Sequence, residues 1–220
     1  MSINVSFNKI TIGDTEIVPP NSVDDHIERD GSVIVAVDTY RRGKLEDRDF
    51  EFPSDDRNVV AIDHAGQISW IIEAVPAEYD YDEPRHTDLW NVQNRYLTRH
   101  TNANFEFDPE TGEILEVWSK AELPIGDQIV DLSGEVFDVL EFEDAVFISC
   151  KQATHDLYAF EADGTERWRS EADERRGLLS VEDGGLWEQV AVNRTTDHRY
   201  RLDPDTGDRL DREEIDTGLW

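Results

Sequence analysis

One phrase recurs four times along the chain and constrains its fold more than any other feature. It is clearest as Leu202-Asp203-Pro204-Asp205-Thr206-Gly207-Asp208-Arg209-Leu210, and returns with variations at residues 107–115, 160–168 and 62–70. In each copy an alternating run ends in an acidic residue, an Asp, Pro or Ala tightens the chain, and Gly66, Gly112, Gly164 or Gly207 starts the return. Asp bonds its own backbone in such turns, and Gly reaches positive φ without a Cβ clash, so each phrase reads as a hairpin turn. The turn glycines are spaced 46, 52 and 43 residues apart. One four-stranded propeller blade needs roughly 40 to 50 residues, so each phrase marks one blade.

The segments between the phrases divide accordingly. The third blade has strands at 135–141, 145–150, 156–161 and 165–170, and the fourth at 178–181, 186–192, 198–202 and 208–212. The second has 89–93, 95–100, 104–107 and 113–118, and the first 25–28, 32–38, 58–62 and 67–72. Most alternate apolar with polar residues, and no stretch holds a long 3.6-residue period, so almost no helix is expected. The expected fold is all-β, a small β-propeller of four to five four-stranded antiparallel blades, in a single domain over 1–220. Its blades occupy 21–76, 77–122, 123–172 and 173–216. Residues 4–12 and 14–18 form an N-terminal strand pair bent at Gly13, within segment 1–20, which supplies half a blade or closes the ring.

Thr111-Gly112 and Thr206-Gly207 keep a Thr-Gly pair, and Trp70 and Trp168 each follow their turn glycine by four residues. In these features the chain resembles the repeats of quinoprotein-dehydrogenase-type (PQQ-like) propellers, over about residues 25 to 212. Glu116 and Asp211 depart from it at the Trp position. The resemblance implies a propeller and carries little about activity. The family's dehydrogenases hold calcium beside the quinone and an adjacent cysteine pair. This chain has Cys150 alone, in an apolar run that buries it, so no cofactor and no intrachain disulfide are expected.

Acidic residues number 51 against 21 basic ones, a formal net charge of −30, and only Lys9, Lys44, Lys120 and Lys151 are lysines. Such a surface repels itself in ordinary buffer and is screened in molar salt; the acid excess with scarce lysine resembles the proteins of a salt-accumulating halophilic archaeon, an acidic protein from an ordinary cell being the plainer alternative. It argues against nucleic acid as a partner, which needs a positive stripe. No run approaches 18 apolar residues and no basic start precedes an apolar stretch, so neither membrane nor signal peptide is expected and the location reads as cytoplasmic. The acidic run at 76–88 reads as a solvated connection rather than a calcium loop, because it lacks the ordered ligands and central Gly.

The loops joining second to third strands gather the scarce cations. They hold Arg41 and Arg42, then Arg99 and His100, then Lys151 and His155, then Arg194, His198 and Arg199. In a propeller these loops emerge on one face, so the expected site is a rim binding a small anionic ligand or an acidic protein. The plainer reading pairs each arginine with nearby acids. A metal site of His100, His155 and His198 is a third reading, without a supporting motif. No catalytic residue and no metal ligand is assigned, because neither a nucleophile elbow nor a Cys-His pair is visible. The chain reads as a non-enzymatic interaction scaffold or ligand-binding propeller, with an enzyme or a metal or anion site on that face as the alternative.

Overall fold

The computed structural model describes residues 2–39, 48–54, 57–76, 79, 85–101, 103–170, 177–193 and 195–216. Among them are 21 strands and no helix. The chain packs as two compact units, Met1–Ser119 and Lys120–Trp220. The loop at 40–57 and the acidic run at 76–88 lie in large part outside the described residues.

The first unit opens with an antiparallel sheet of β1 (Ile3–Ser6), β2 (Lys9–Ile12) and β3 (Thr15–Ile17). A first blade follows, β4 (Val23–Arg29), β5 (Ser32–Val37), β6 (Val59–Ile62) and β7 (Ile68–Ile71), with each strand beside its sequence neighbour. The second blade has the same order: β8 (His86–Val92), β9 (Arg95–His100), β10 (Ala103–Phe107) and β11 (Ile114–Ser119). The second unit opens with a hairpin, β12 (Glu122–Ile125) and β13 (Gln128–Asp131). Its blades are β14 (Glu135–Phe142), β15 (Ala145–Lys151), β16 (Leu157–Glu161), β17 (Glu166–Arg169), and β18 (Gly177–Glu182), β19 (Gly185–Ala191), β20 (Thr196–Leu202), β21 (Arg209–Asp216). The fold is therefore the expected one in class, an all-β propeller of four-stranded antiparallel blades, with four blades complete.

The turn phrase does what its residues dictate. Asp63 Oδ1 accepts the Ala65 and Gln67 amides at 2.8 and 2.9 Å, and Asp108, Asp163 and Asp203 each accept the amide two residues on. The four glycines have φ of 77°, 74°, 87° and 76°. Each phrase also leaves a register shift at the same place, where the third strand meets the fourth.

Alternation then builds the stack. In β5 one face (Val33, Val35, Val37) packs with Ile10, Ile12 and Ile17 of the opening sheet, while the other (Ile34, Ala36) packs towards Leu89 and Phe107 of the second blade. In the second unit Ala145 and Phe147 of β15 pack with Leu179, Leu186 and Leu202 of its last blade. Each fully buried Val, Leu, Ile or Phe contributes roughly 1.5–3 kcal/mol.

Two polar staples join consecutive blades, and they recur in both units. Asp25 Oδ2 accepts the Leu89 amide at 2.8 Å, and Asp138 Oδ2 accepts that of Leu179 at 2.7 Å. Both aspartates sit at a register shift in the first strand of their blade. The Trp70 indole donates to the Pro109 carbonyl at 3.0 Å, and the Trp168 indole to that of Pro204 at 2.9 Å. Ile12-Gly13-Asp14 and Ile125-Gly126-Asp127 turn the corresponding hairpins. The opening segment has a third strand beyond the expected pair, because Phe7-Asn8 already turns it, and the β12–β13 hairpin is an element that the turn phrase does not mark.

Candidate functional site: a polar pocket between blades of the second unit

Of the expected rim residues, Arg41, Arg42 and Arg194 lie outside the described residues. Arg99 and His100 belong to the first unit. The Arg99 guanidinium lies 2.5 Å from Asp88 Oδ2 on the neighbouring strand, and its Nε lies 3.3 Å from Thr87 Oγ1. His100 ends β9, as the strand 95–100 predicts, but faces inward rather than onto a rim, 1% exposed, with its ring edge-on to His86 and Phe105.

The other four belong to the second unit. The Lys151 ammonium stands 4.3 Å over the Phe137 ring. His155 has its backbone amide on Ser133 Oγ at 3.1 Å and its Nδ1 3.2 Å from Thr154 Oγ1. His198 Nδ1 lies 3.1 Å from the Tyr200 hydroxyl, and its Nε2 is 3.9 Å from Glu214. The Arg199 guanidinium is 2.5 Å from Glu182 and stacks over Trp187 at 4.3 Å. Arg99 and Arg199 are thus each engaged by an acid of their own blade. Among the described residues, no group of three or more His, Cys, Asp or Glu is placed to hold a metal ion.

The structure brings together a different set, at a cavity of about 250 Å³ between the two blades of the second unit. Asp156, just before β16, and Ser170, just after β17, form one wall, with the Ser170 hydroxyl donating to Asp156 Oδ1 at 2.8 Å. Glu188 of β19 faces them, and Gly207, Asp208 and Arg209 come from the turn phrase and the start of β21. Glu188 is 3% exposed and Asp156 8%. Arg209 directs Nε and Nη2 to Glu188 Oε2 at 3.2 and 2.9 Å and lies 4.1 Å over the Tyr200 ring. Gly177 leaves room for this carboxylate, since a Cβ there would stand 2.1 Å from Glu188 Cγ. Burial pushes the neighbouring Cys150 thiol up to about 12, and the Asp156 carboxylate adds to the shift.

The first unit builds the matching place from different residues. Backbone bonds match Asn58 to Asp156 (Val37 amide to Asn58 carbonyl, Cys150 amide to Asp156 carbonyl) and Ile72 to Ser170 (their amides on Val59 and Leu157). Strand pairing matches Thr98 to Glu188 and Ile114 to Arg209. Asn58 donates to the Val37 and His86 carbonyls at 2.8 and 2.7 Å and accepts the His86 amide at 2.9 Å, sewing the two blades shut. Ile72 and Thr98 are fully buried beside it. A carboxylate cannot donate as the Asn58 amide does, so Asp156 in the same place cannot make that seam. Four matched positions change from amide, hydroxyl or apolar groups to two acids, a serine and an arginine, and the cavity lies among them.

Sequence reasoning missed this site because its residues come from four strands and no motif joins them.

A family model described as a domain of unknown function (DUF7957) matches residues 1–118 and again residues 114–214. No curated protein matches the chain. Among solved structures, it is similar to BamB from Moraxella catarrhalis, at 11% identity over 96% of this chain and 75% of that one, with a TM-score of 0.47. It is likewise similar to two computationally designed proteins. Ika8 matches at 10% identity over 96% of this chain and 73% of that one, with a TM-score of 0.45. Ika4 matches at 10% over 90% and 92%, with a TM-score of 0.44.

Proposed function

The chain belongs to the DUF7957 family and is matched by its model twice; from that premise we propose that it is a non-enzymatic ligand-binding propeller whose second unit holds a small polar ligand between blades. The observation that carries this reading is the pocket itself: at four matched positions the second unit has two acids, a serine and an arginine around a cavity, where the first unit has the Asn58 hydrogen bonds and buried Ile72 and Thr98. Buried ionisable groups are costly to keep where packing alone is needed, so their concentration at one cavity favours a binding role. Binding rather than turnover is favoured because Ser170, the hydroxyl in the wall, donates its hydrogen bond to Asp156, a carboxylate too weakly basic to activate it, and the described lining holds no imidazole.

The rim reading has less support, since Arg99 and Arg199 already hold Asp88 and Glu182. The finer kinship to PQQ-like repeats is part of this proposal. It is supported by the two indole-to-proline staples, which give the tryptophans of the repeat phrase one shared task. So is a high-salt setting, supported by the net charge of −30.

The test is a panel of small cations, anions and neutral compounds followed through the backbone amide resonances of the full chain. Shifts clustering on Ser170, Glu188, Gly207 and Asp208 are expected. Shifts clustering around Arg99 or Arg199 would move the site to the rim, and no saturable shift would reject the reading.

A further inference from the structure

We propose that the pocket takes a small organic cation carrying N–H donors, a guanidinium or primary amine, which competes with Arg209 for Glu188. This rests on the ligand-binding reading above and names the ligand class for the same cavity.

Three observations carry it. Among the described residues of the lining, three are acidic, Asp156, Glu188 and Asp208, and one is basic, Arg209. The two acids at 3% and 8% exposure are withdrawn from water, which weakens screening and strengthens their pull on a cation. Second, the wall already holds a cation of the proposed class. Arg209 directs two N–H groups to one Glu188 oxygen and stacks on Tyr200, so the seat displays the hydrogen-bonding and ring-face contacts that a planar cation uses. Third, Arg209 starts β21, the outermost strand of its blade, and its side chain is 33% exposed, so it can swing to solvent when a ligand replaces it. The volume, about 250 Å³, lies just below the roughly 300–1,000 Å³ of sites for drug-sized ligands and suits a small molecule.

An anion would meet three carboxylates, and a quaternary ammonium would have the charge without the donors. Asp156→Asn returns the residue that the first unit uses at this place, and Ser170→Ile returns the first unit's isoleucine and fills the cavity, so both substitutions have a precedent in the same fold.

The experiment is calorimetric titration of the full chain in about 1 M KCl, which screens diffuse binding to the acidic surface. The probes are agmatine, tetramethylammonium and succinate, and amide resonances locate each contact. Agmatine is expected to bind saturably with shifts at Ser170, Glu188 and Gly207, at least tenfold more tightly than tetramethylammonium, and to lose at least tenfold in Asp156→Asn and in Ser170→Ile. Equal binding of tetramethylammonium, or agmatine binding that neither substitution weakens, would overturn the proposal. Succinate binding in the pocket with agmatine silent would overturn the cation class and keep the ligand pocket. Silence of all three probes at these amides would overturn both.

Discussion

Trp168 donates its indole N–H to the Pro204 carbonyl and lies so close to Gly207 that a Cβ there would stand 2.6 Å from the ring. Trp70 repeats the relationship with Pro109 and Gly112, where the Cβ would come within 2.5 Å. The glycine of the turn phrase thus serves its own blade by its φ and the preceding blade by its missing side chain.

Gly207→Ala should therefore be worse than an ordinary left-handed replacement. Gly184 has a similar φ of 70° with nothing within 4 Å of its would-be Cβ, so Gly184→Ala isolates the backbone strain, about 1–2 kcal/mol. Gly207→Ala should cost a further 1–3 kcal/mol or so for displacing the indole. Urea unfolding of both variants in molar KCl checks this, and equal losses would mean that the indole moves aside freely.

The turn phrase made most of the architecture legible, because a blade's third and fourth strands are tied by local Asp and Gly chemistry. The third blade was expected at 135–141, 145–150, 156–161 and 165–170, and β14 to β17 occupy nearly those residues. The β12–β13 hairpin was harder to see, since its strands have four residues each and one contains Pro124. Its signal was the Ile-Gly-Asp phrase shared by residues 12–14 and 125–127, a longer repeat than that of the blades. The strand 95–100 is legible and ends at His100 as β9 does, but alternation alone does not say whether a strand's last residue faces core or water, so the inward direction of His100 is not. The pocket was not legible at all. Glu188 follows Trp187 and precedes Gln189 on its strand, and its burial depends on Gly177 across the sheet and on Arg209, which sequence order keeps apart.

Asp25 gives a pH signature to the first blade contact. Burial raises its pKa from the usual 3.8, against the pull of the Leu89 and His26 amides, and the Asp88 charge adds to the rise. A folded-state value above the unfolded one means that the native state holds the proton longer. The associated stability is present below pH 3.8 and is lost as pH rises through the folded value. Asp25→Asn carries no proton to lose, so its stability relative to the native chain should improve across that window and then level off. Its amide oxygen cannot serve both backbone donors, which adds an offset independent of pH. Chemical unfolding at a series of pH values separates slope from offset, and a parallel pair of curves would contradict the shift.

Cys150 should be inert in the folded chain. Its thiol is buried and pushed up to about 12, so almost no thiolate exists at pH 8 to attack a disulfide reagent. Colour release from an aromatic disulfide reagent should appear only with denaturant, at the rate of unfolding. A full burst without denaturant at pH 8 would place the sulfur in reach of solvent.

With a net charge of −30 on 220 residues, the fold should depend on screening. The Debye length falls from about 10 Å at 0.1 M to about 3 Å at 1 M salt, which removes most repulsion between neighbouring blade surfaces. Circular dichroism should show a cooperative thermal transition in molar KCl that shifts down by many degrees, or is lost, on dialysis to low salt. Equal midpoints would remove the high-salt reading.

The Glu188 and Arg209 pair offers the sharpest stability test, because the first unit supplies its own replacement. Removing the guanidinium alone, as Arg209→Ile, takes two N–H bonds from the buried Glu188 carboxylate, which should cost about 1–3 kcal/mol. Removing the acid as well, in Glu188→Thr with Arg209→Ile, recreates the Thr98 and Ile114 arrangement that packs without charge in the first unit. The double variant should therefore be more stable than Arg209→Ile alone, with a coupling of about 1–3 kcal/mol in a double-mutant cycle. Strict additivity in that cycle would mean that the two side chains do not depend on one another. In that case Arg209 could leave Glu188 without loss, and the carboxylate would have no need of a cation, its own or a ligand's.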